Sequence, residues 1–301
     1  MSIAFRTGNL AKGFGGIIKD KPLVCGFTTE EPLETIQCRF LECGSWKKGP
    51  ELTANRAKAT AIVLNDKLWV TGGYADPGND LAWLKSTELV SLDKTEPFVD
   101  LPVALVRHCL TQVNSRQIML TGGYGGGEEG SKAFTGFGAD GEFGWSKSTY
   151  LFNTQDKTWT NVGDLRVERD DHGCASFLFE STRVVVVAGG SSKREGGTTV
   201  EFLKMDELSK GWQTGAKLPW SLDRFSLLAS PSETSLLAVG GNSNGISGYF
   251  DEHADKILEM KCSRSLRDCE WKALPEALSS KRKDTVAMWL PKRLDLCHAG
   301  K

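Results

Sequence analysis

The chain has 301 residues, and its 37 basic and 38 acidic side chains leave a net charge of −1 at pH 7. A balance this close to zero provides no overall field to attract nucleic acid or an anionic membrane, so neither is expected as a partner. No apolar run reaches the roughly 18 residues that a membrane-spanning helix requires, so no membrane span is expected.

A short apolar run that ends in glycine recurs five times along the chain. The first copy is weak, because Pro22–Phe27 (PLVCGF) has Cys25-Gly26 where a glycine pair would stand. Four clear copies follow, with the sequences LWVTGGY, IMLTGGY, VVVVAGG and LLAVGG. Their glycines are Gly72 and Gly73, Gly122 and Gly123, Gly189 and Gly190, and Gly240 and Gly241. Self-similarity at a period of roughly 50 residues indicates a stacked or radially repeated fold.

The second repeat shows the predicted elements in chain order. Ala57–Leu64 alternates toward a short apolar run, and Asn65-Asp66 predicts a tight turn into a second strand, Lys67–Thr71. The β-branched stretch Lys85–Leu92 predicts a third strand, and Thr95–Leu101 completes the unit. Four strands per unit and almost no helical periodicity predict an all-β radial array.

An aromatic residue and an arginine complete most repeats. An indole on the outer strand can bury a large apolar area between adjacent units. An arginine where the next unit begins can lay its stem on apolar surface and hold its guanidinium at the loop. The tryptophans are Trp46, Trp159, Trp212 and Trp271, and the arginines are Arg56, Arg107, Arg169, Arg224 and Arg282.

The glycine pair, the following arginine and a six-residue spacing from tryptophan to leucine (Trp46/Leu52, Trp159/Leu165 and Trp212/Leu218) together resemble kelch repeats. The resemblance covers nearly the whole chain. It implies a six-bladed kelch-type β-propeller of four-stranded antiparallel blades. The first repeat lacks its glycine pair, and the second lacks its tryptophan and has Phe98 instead.

The repeats predict a single domain over residues 1–301. Their approximate bounds are 11–56, 57–107, 108–169, 170–224 and 225–281, with a partial sixth unit at 282–301. The sixth blade would take its outer strand from residues 1–10, or the chain is truncated relative to its natural parent. We expect a monomer.

The eight cysteines suggest an oxidising compartment. Cys38 and Cys43 flank the hairpin before Trp46, and Cys262 and Cys269 occupy the same place before Trp271. This repetition predicts the disulfides Cys38–Cys43 and Cys262–Cys269, with free thiols as the alternative. The other four cysteines are expected to be small core residues: Cys25, Cys109, Cys174 and Cys297. The start MSIAFRTGNL has no long apolar segment, so no signal peptide is expected from it. The sequence favours an extracellular location, with a cytoplasmic one as the alternative.

Two features are candidates for a binding face. The longest insertion, Gly125–Ser146, combines flexible glycines with four aromatic residues, which favours a binding loop, with a packed cover over the pore or a flexible insertion as the alternatives. Those aromatics are Phe134, Phe137, Phe143 and Trp145. The five arginines could form a ring that clamps carboxylates, and the kelch resemblance implies acidic peptides as such ligands. The competing interpretation is that the arginines pack and hydrogen-bond at the blade junctions.

The sequence contains few indications of an enzyme. His108 and His172 recur near equivalent strand starts, so a packing role explains them better than a metal site, and no metal or cofactor is expected. The favoured function is therefore a non-enzymatic propeller that binds a protein or peptide. The alternatives are a secreted carbohydrate-active propeller, such as a sugar epimerase, and the substrate-recognition fragment of a kelch ubiquitin-ligase adaptor, which predicts free thiols.

Overall fold

The computed structural model describes residues 10–28, 36–75, 82–125, 144–192, 197–242 and 255–290. Within these ranges the regular structure is β-strand, apart from one short 3-10 helix at Leu208–Lys210. Five four-stranded antiparallel sheets follow one another along the chain, and each is called a blade. In every blade the strands are hydrogen-bonded to their sequence neighbours, as in a simple meander.

The first two blades occupy the chain as far as Phe98. Blade 1 contains β1 (Leu10–Ile18), β2 (Lys21–Thr28), β3 (Ile36–Glu42) and β4 (Ser45–Glu51). Blade 2 begins with β5 (Thr60–Leu64) and β6 (Lys67–Thr71), and a short antiparallel pair follows, β7 (Tyr74–Ala75) and β8 (Ala82–Trp83). Blade 2 ends with β9 (Thr87–Val90) and β10 (Thr95–Phe98).

The next blade follows the two-residue strand β11 (Leu105–Val106). Blade 3 begins with β12 (Cys109–Asn114) and β13 (Gln117–Thr121). A short antiparallel pair follows, β14 (Tyr124–Gly125) and β15 (Gly144–Trp145). Blade 3 ends with β16 (Ser148–Asn153) and β17 (Thr158–Asp164).

Two further blades complete the described strands. Blade 4 contains β18 (Gly173–Phe179), β19 (Thr182–Ala188), β20 (Val200–Lys204) and β21 (Gln213–Thr214). Blade 5 contains β22 (Ser226–Ala229), β23 (Leu236–Val239), β24 (Lys256–Cys262) and β25 (Cys269–Ala277).

The predicted sixth blade falls mostly outside the described residues. Of its segments, residues 1–9 and 291–301 are not described, and Arg282–Leu290 contains no strand. Leu10, which was expected to belong to the closing strand, is instead the first residue of β1 in blade 1.

The predicted tight turn of the second repeat is present. Asn65 and Asp66 have φ values of 49° and 56°, and β5 pairs in register with β6 on either side of them. Two successive residues at positive φ match the right-handed twist of the two strands, and Asn and Asp tolerate this conformation better than most residues. Turns of the same kind join the first two strands of blade 1 at Lys19-Asp20 and of blade 4 at Glu180-Ser181.

The described residues form two compact units, each with its own core. The first comprises the chain up to Val106 together with 286–290, and the second comprises 107–125 and 144–285. In the first unit, Leu23 of blade 1 belongs to the same buried cluster as Leu68 and Val90 of blade 2. In the second, Phe177 and Phe202 of blade 4 pack in one cluster with blade 5, and a further cluster joins blades 3 and 4.

Two of the outer-strand tryptophans link adjacent blades. Nε1 of Trp212, in the connection before β21, donates a 3.2 Å hydrogen bond to Oγ1 of Thr149 in blade 3. Nε1 of Trp271, in blade 5, donates a 3.1 Å hydrogen bond to the carbonyl oxygen of Ala216, which follows blade 4. Trp212 is buried, whereas Trp46, Trp159 and Trp271 are half-buried. The indoles of Trp212 and Trp271 thus combine apolar contact with a polar anchor on the neighbouring blade.

The disulfide of Cys38 differs from the predicted one. Cys38 is bonded to Cys25 and not to Cys43, because Cys25 and Cys38 lie directly opposite each other on β2 and β3 with their Cα atoms 3.9 Å apart. Cys43 is also disulfide-bonded.

The remaining described cysteines are paired as well. The Cys262–Cys269 disulfide is present across the β24–β25 hairpin. Cys109 and Cys174, expected to be free core residues, form a disulfide between the first strands of blades 3 and 4. Cys297 lies outside the described residues. In the described part of the chain, no helix is both long and apolar enough to cross a membrane.

Candidate functional site

The segments that connect one blade to the next are attached to the glycine pairs, and we call them blade-start segments. The amide of the second glycine donates a hydrogen bond to a carbonyl oxygen of the following blade-start segment. The pairs are Gly73 to Leu105, Gly123 to Arg169, Gly190 to Leu222 and Gly241 to Arg282, at 2.7 to 2.9 Å. Glycine is required for this approach: a Cβ on Gly190, whose φ is +91°, would lie 2.5 Å from the carbonyl oxygen of Asp170.

These hydrogen bonds show that the five arginines do not form a single ring. In two of the four cases the accepting carbonyl oxygen belongs to an arginine, Arg169 or Arg282. In the other two it belongs to a leucine, Leu105 or Leu222. Arg107 and Arg224 lie two residues farther along, where φ is 54° and 53°. Arginine therefore occurs at two different positions of the blade-start segment.

Arg56 and Arg169 are structural. Their side chains are 2% and 1% exposed, and each forms an ion pair with a buried carboxylate of the third strand of its own blade, Glu88 or Glu201. Nη1 of Arg169 also donates to the carbonyl oxygens of Gly189 and Thr199, at 2.7 and 3.1 Å. Neither guanidinium can face a ligand, so the expectation of a binding role is wrong for these two arginines.

Blades 3 and 5 have uncharged residues in place of the buried ion pair. Equivalent third-strand positions can be identified in blades 2 to 5, because the amide of the first glycine of each pair donates a hydrogen bond to a carbonyl oxygen there. The residue two positions after that acceptor is the one that corresponds to Glu88 and Glu201. Where the blade-start segment has Arg56 or Arg169, this position is Glu88 or Glu201; where it has Leu105 or Leu222, the position is Tyr150 or Leu258. In blades 2 to 5 the two charges therefore occur together or not at all.

Arg107 and Arg224 belong to a different arrangement, a line of charged residues at positive φ. The amide of Asp171 donates a hydrogen bond to the carbonyl oxygen of Arg107. In the same way, the amide of Arg224 donates to the carbonyl oxygen of Asp171, and the amide of Asp284 donates to the carbonyl oxygen of Arg224, at 2.8 to 3.1 Å. All four residues have φ between 51° and 54°. Successive blade-start segments thus place cation, anion, cation and anion side by side.

Three further contacts hold the side chains of this line. Nη1 of Arg107 donates a 2.8 Å hydrogen bond to Oδ2 of Asp170, and its Nε lies 3.6 Å from Oδ2 of Asp171. Nε1 of Trp145 donates to Oδ1 of Asp170 at 3.2 Å, and the Trp145 indole packs edge-on against Tyr124. We call Arg107, Asp170, Asp171, Asp223, Arg224 and Asp284 the charge cluster.

In the described part of the chain, Arg224 leaves most of its hydrogen-bond donors unused. Within the ranges that the structure describes, its guanidinium makes one hydrogen bond, from Nε to Oδ1 of Asp223 at 3.2 Å. A guanidinium has five N–H donors, and the Arg224 side chain is 20% exposed. The donors on its two Nη atoms are therefore available to a ligand.

The pKa of Asp171 is raised to about 7. Burial disfavours its charged form, the charge of Asp170 adds to this effect, and Arg107 and Arg224 oppose it. Burial also raises the pKa of Asp223. A carboxyl group whose pKa lies near neutrality, next to two arginines, can exchange a proton under physiological conditions.

The two histidines are buried in the structure. Burial lowers the pKa of His108 to about 3, and burial together with Arg169 and His108 lowers the pKa of His172 well below its usual value. Nε2 of His172 lies 2.9 Å from Oγ1 of Thr121. In the described residues no cluster of His, Cys, Asp or Glu has the arrangement of a metal site.

The remaining candidate residues are placed as follows. Trp145 contacts the charge cluster, and Arg282 is half-buried with its carbonyl oxygen bonded to Gly241. Phe134, Phe137 and Phe143 lie outside the described residues. The arginines look like one set in the sequence because each of them stands close to the start of a repeat. The hydrogen bonds from the glycine pairs instead separate Arg107 and Arg224 from the other arginines and bring Asp171 and Asp284 to the position of Arg107 and Arg224.

Comparison with known proteins supports the kelch-type fold. No family model matches the chain. A stretch of 73 residues, 24% of the chain, is 34% identical to the F-box/kelch-repeat protein At4g39590 of Arabidopsis thaliana, and it covers 17% of that relative.

The solved structure of YjhT, a kelch-type propeller, matches 89% of this chain and 85% of its own with a TM-score of 0.66. At 12% sequence identity this likeness shows the fold alone. The predicted fold class, a kelch-type β-propeller of four-stranded antiparallel blades, is confirmed, and both comparisons support the kelch-repeat resemblance.

Proposed function

We propose that this kelch-type propeller is a non-enzymatic binding protein that recognises a protein or peptide at its blade-start segments, with Arg224 as the anchor. The availability of the Arg224 guanidinium carries this proposal. Arg56 and Arg169 are buried and ion-paired within their own blades, whereas Arg224 makes one hydrogen bond within the described residues and has partial access to solvent. A planar guanidinium with free Nη donors is suited to bind a carboxylate through two parallel hydrogen bonds.

The charges around Arg224 limit the kind of ligand. The charge cluster contains two arginines and four carboxyl groups, so its own field does not attract a strongly acidic partner. Arg107 is already engaged by Asp170 and lies close to Asp171. We therefore expect the ligand to present a single carboxylate among neutral groups, which fits a peptide with one Asp or Glu better than a polyacidic segment.

The test uses short peptides that carry one Asp or Glu and matched peptides with Asn or Gln, added to ¹⁵N-labelled protein. We expect the carboxylate peptides alone to shift the Nε–H resonance of Arg224. Arg224→Asn, which keeps a residue that tolerates positive φ, should weaken binding at least tenfold. Arg183→Gln is the matched control, because Arg183 lies at the opposite end of β19 and pairs with Glu233. Equal binding by the Arg224→Asn variant would refute the proposal.

An extracellular location is part of the proposal. The disulfides Cys25–Cys38, Cys109–Cys174 and Cys262–Cys269 support it, because such bonds persist in oxidising compartments. The adaptor alternative predicts free thiols instead. Alkylation of the protein under denaturing conditions, immediately after cell lysis, distinguishes the two. Labelling of these six cysteines without prior reduction would contradict an extracellular location.

A carbohydrate-active propeller is a second candidate, and Asp171 is the observation that favours it. A carboxyl with a pKa of about 7 has a suitable value for general acid or base catalysis, and Arg107 and Arg224 could hold a polar substrate beside it. Screening reducing sugars for epimerisation or mutarotation by NMR tests this candidate. Turnover by the wild type that is lost in Asp171→Asn would support it over the binding proposal.

A further inference from the structure

We propose that the carboxylate of Asp171 is an internal competitor for the arginines of the charge cluster, so that a ligand carboxylate binds there together with one proton. This inference rests on the proposed function, because it concerns the same site. It adds a rule for when that site accepts a ligand.

Asp171 is placed between the two arginines by the backbone. Its amide donates a 3.1 Å hydrogen bond to the carbonyl oxygen of Arg107, and its carbonyl oxygen accepts a 2.8 Å hydrogen bond from the amide of Arg224. All three residues have positive φ, and backbone hydrogen bonds join them in a line. Their side chains therefore start from adjacent points of the backbone. A ligand carboxylate that reaches the Nη donors of Arg224 therefore approaches the carboxyl group of Asp171.

Four charged groups act on Asp171, one or more from each neighbouring blade-start segment. They are Asp170 from its own segment, Arg107 from the segment before, Arg224 from the segment after, and Asp284 from the segment that follows blade 5. Two guanidiniums are thus shared among three carboxyl groups, and Asp223 makes a further demand on Arg224. A ligand would add another carboxylate to a site that already has more anions than cations.

The excess is relieved most easily at Asp171. Asp170 is held by hydrogen bonds from Arg107 and Trp145, whereas the nearest cation atom to Asp171 is Nε of Arg107 at 3.6 Å. Burial and the charge of Asp170 raise the pKa of Asp171 to about 7, so its charged form is the one that the site can give up near neutral pH.

The expected pH dependence follows from this balance. Below about pH 7 Asp171 is already protonated, and the ligand carboxylate binds without further proton uptake. Above pH 7, binding requires Asp171 to take up one proton from solvent, so the affinity should fall by about tenfold per pH unit. The site should therefore favour carboxylate ligands in mildly acidic surroundings.

The experiment measures the affinity of one single-carboxylate peptide from pH 6 to pH 8.5 for three proteins. The wild type should lose affinity by roughly tenfold or more above pH 7. Asp171→Asn should bind with little pH dependence, because an amide cannot ionise and Asn tolerates the φ of 51°. Asp156→Asn, in an exposed turn, is the control and should behave as the wild type.

Two outcomes separate this inference from the proposed function. If the peptides bind through Arg224 equally well at all pH values, or if Asp171→Asn keeps the wild-type pH dependence, the inference fails and the proposed function stands. If no peptide binds at any pH, the proposed function fails and the inference fails with it.

A measurement on the protein without ligand provides an independent check. The ¹³C signal of the Asp171 carboxyl and the ¹⁵Nε signal of Arg224 should titrate with a common midpoint near pH 7. Titration of Asp171 below pH 5, or an Arg224 signal that does not follow it, would overturn the inference.

Discussion

Nη2 of Arg169 donates a 2.7 Å hydrogen bond to Oε1 of Glu201, and these side chains are 1% and 2% exposed. Oε2 of Glu201 also accepts from the amide of Arg166 at 2.6 Å, so the pair ties the blade-start segment to the third strand of blade 4. In blade 5 the same two positions are Leu222 and Leu258. The fold thus accepts either a complete ion pair or a complete apolar pair at this place.

Removing one member of the pair should be worse than removing both. Arg169→Leu leaves the Glu201 carboxylate buried without its cation, and we expect the free energy of unfolding to fall by about 3–5 kcal/mol. The double variant Arg169→Leu with Glu201→Leu reproduces the pair of blade 5 and should recover part of that loss. Urea denaturation of the wild type, both single variants and the double variant measures the coupling. Additive losses would contradict the idea that the two charges are exchanged as a unit.

The repeat pattern predicted the blades well because its signals are local. The short apolar strand before each glycine pair and the Asn65-Asp66 turn depend on neighbouring residues, and both are present. The cysteine pairing of blade 1 depends on strand register instead. Cys25 and Cys38 meet because they are opposite partners on β2 and β3, and the analogy with the Cys262–Cys269 hairpin wrongly favoured Cys43.

The charge cluster could be predicted only in part. The sequence indicated that Arg107 and Arg224 lie where blades begin. It did not show that they stand two positions later in their repeats than Arg169 does, in a different environment. Arg169 is buried and paired with Glu201 of its own blade, whereas Arg224 is partly exposed and makes a single hydrogen bond in the described residues. This distinction comes from the hydrogen bonds of the glycine pairs, which no local pattern contains.

Burial of His108 should make the protein sensitive to mild acid. Because its pKa is about 3 in the folded protein and near 6.5 in the unfolded chain, the unfolded chain takes up a proton first as the pH falls. Stability from this group is fully present above about pH 6.5 and should be lost at about 1.4 kcal/mol per pH unit below it.

His108→Ala tests this dependence, since Ala59 occupies the equivalent position in blade 2. Its absolute stability should decrease because the side chain leaves a cavity, but its slope of stability against pH between 4 and 6 should be smaller than that of the wild type. Denaturation curves at several pH values give the slope. An unchanged slope would show that His108 does not resist protonation in the folded state.

Asp171 should show the opposite sign of pH dependence. Its pKa is about 7 in the folded protein and lies above the unfolded value near 3.8, so ionisation is easier in the unfolded chain. Stability therefore decreases as the pH rises from about 4 to 7 and stays at the lower level above 7. Asp171→Asn should stabilise the protein at pH 8 by about 1–4 kcal/mol and have little effect near pH 4. Thermal unfolding at both pH values tests this, with Asp156→Asn as the control. A loss of stability at pH 8 would mean that the Asp171 carboxylate contributes favourable contacts.

The two disulfides of the second unit should contribute unequally to stability. Cys109–Cys174 joins the first strands of blades 3 and 4 across 65 residues of sequence, whereas Cys262–Cys269 closes a hairpin over 7 residues. Restricting the longer loop removes more entropy from the unfolded chain, so the chain-entropy model gives about 4 kcal/mol for the first and about 2 kcal/mol for the second. We expect Cys109→Ser with Cys174→Ser to lower the free energy of unfolding more than Cys262→Ser with Cys269→Ser. Guanidinium denaturation of the two double variants measures the difference. Equal losses, or a larger loss for the hairpin disulfide, would show that the inter-blade bond does not limit the unfolded chain as its span predicts.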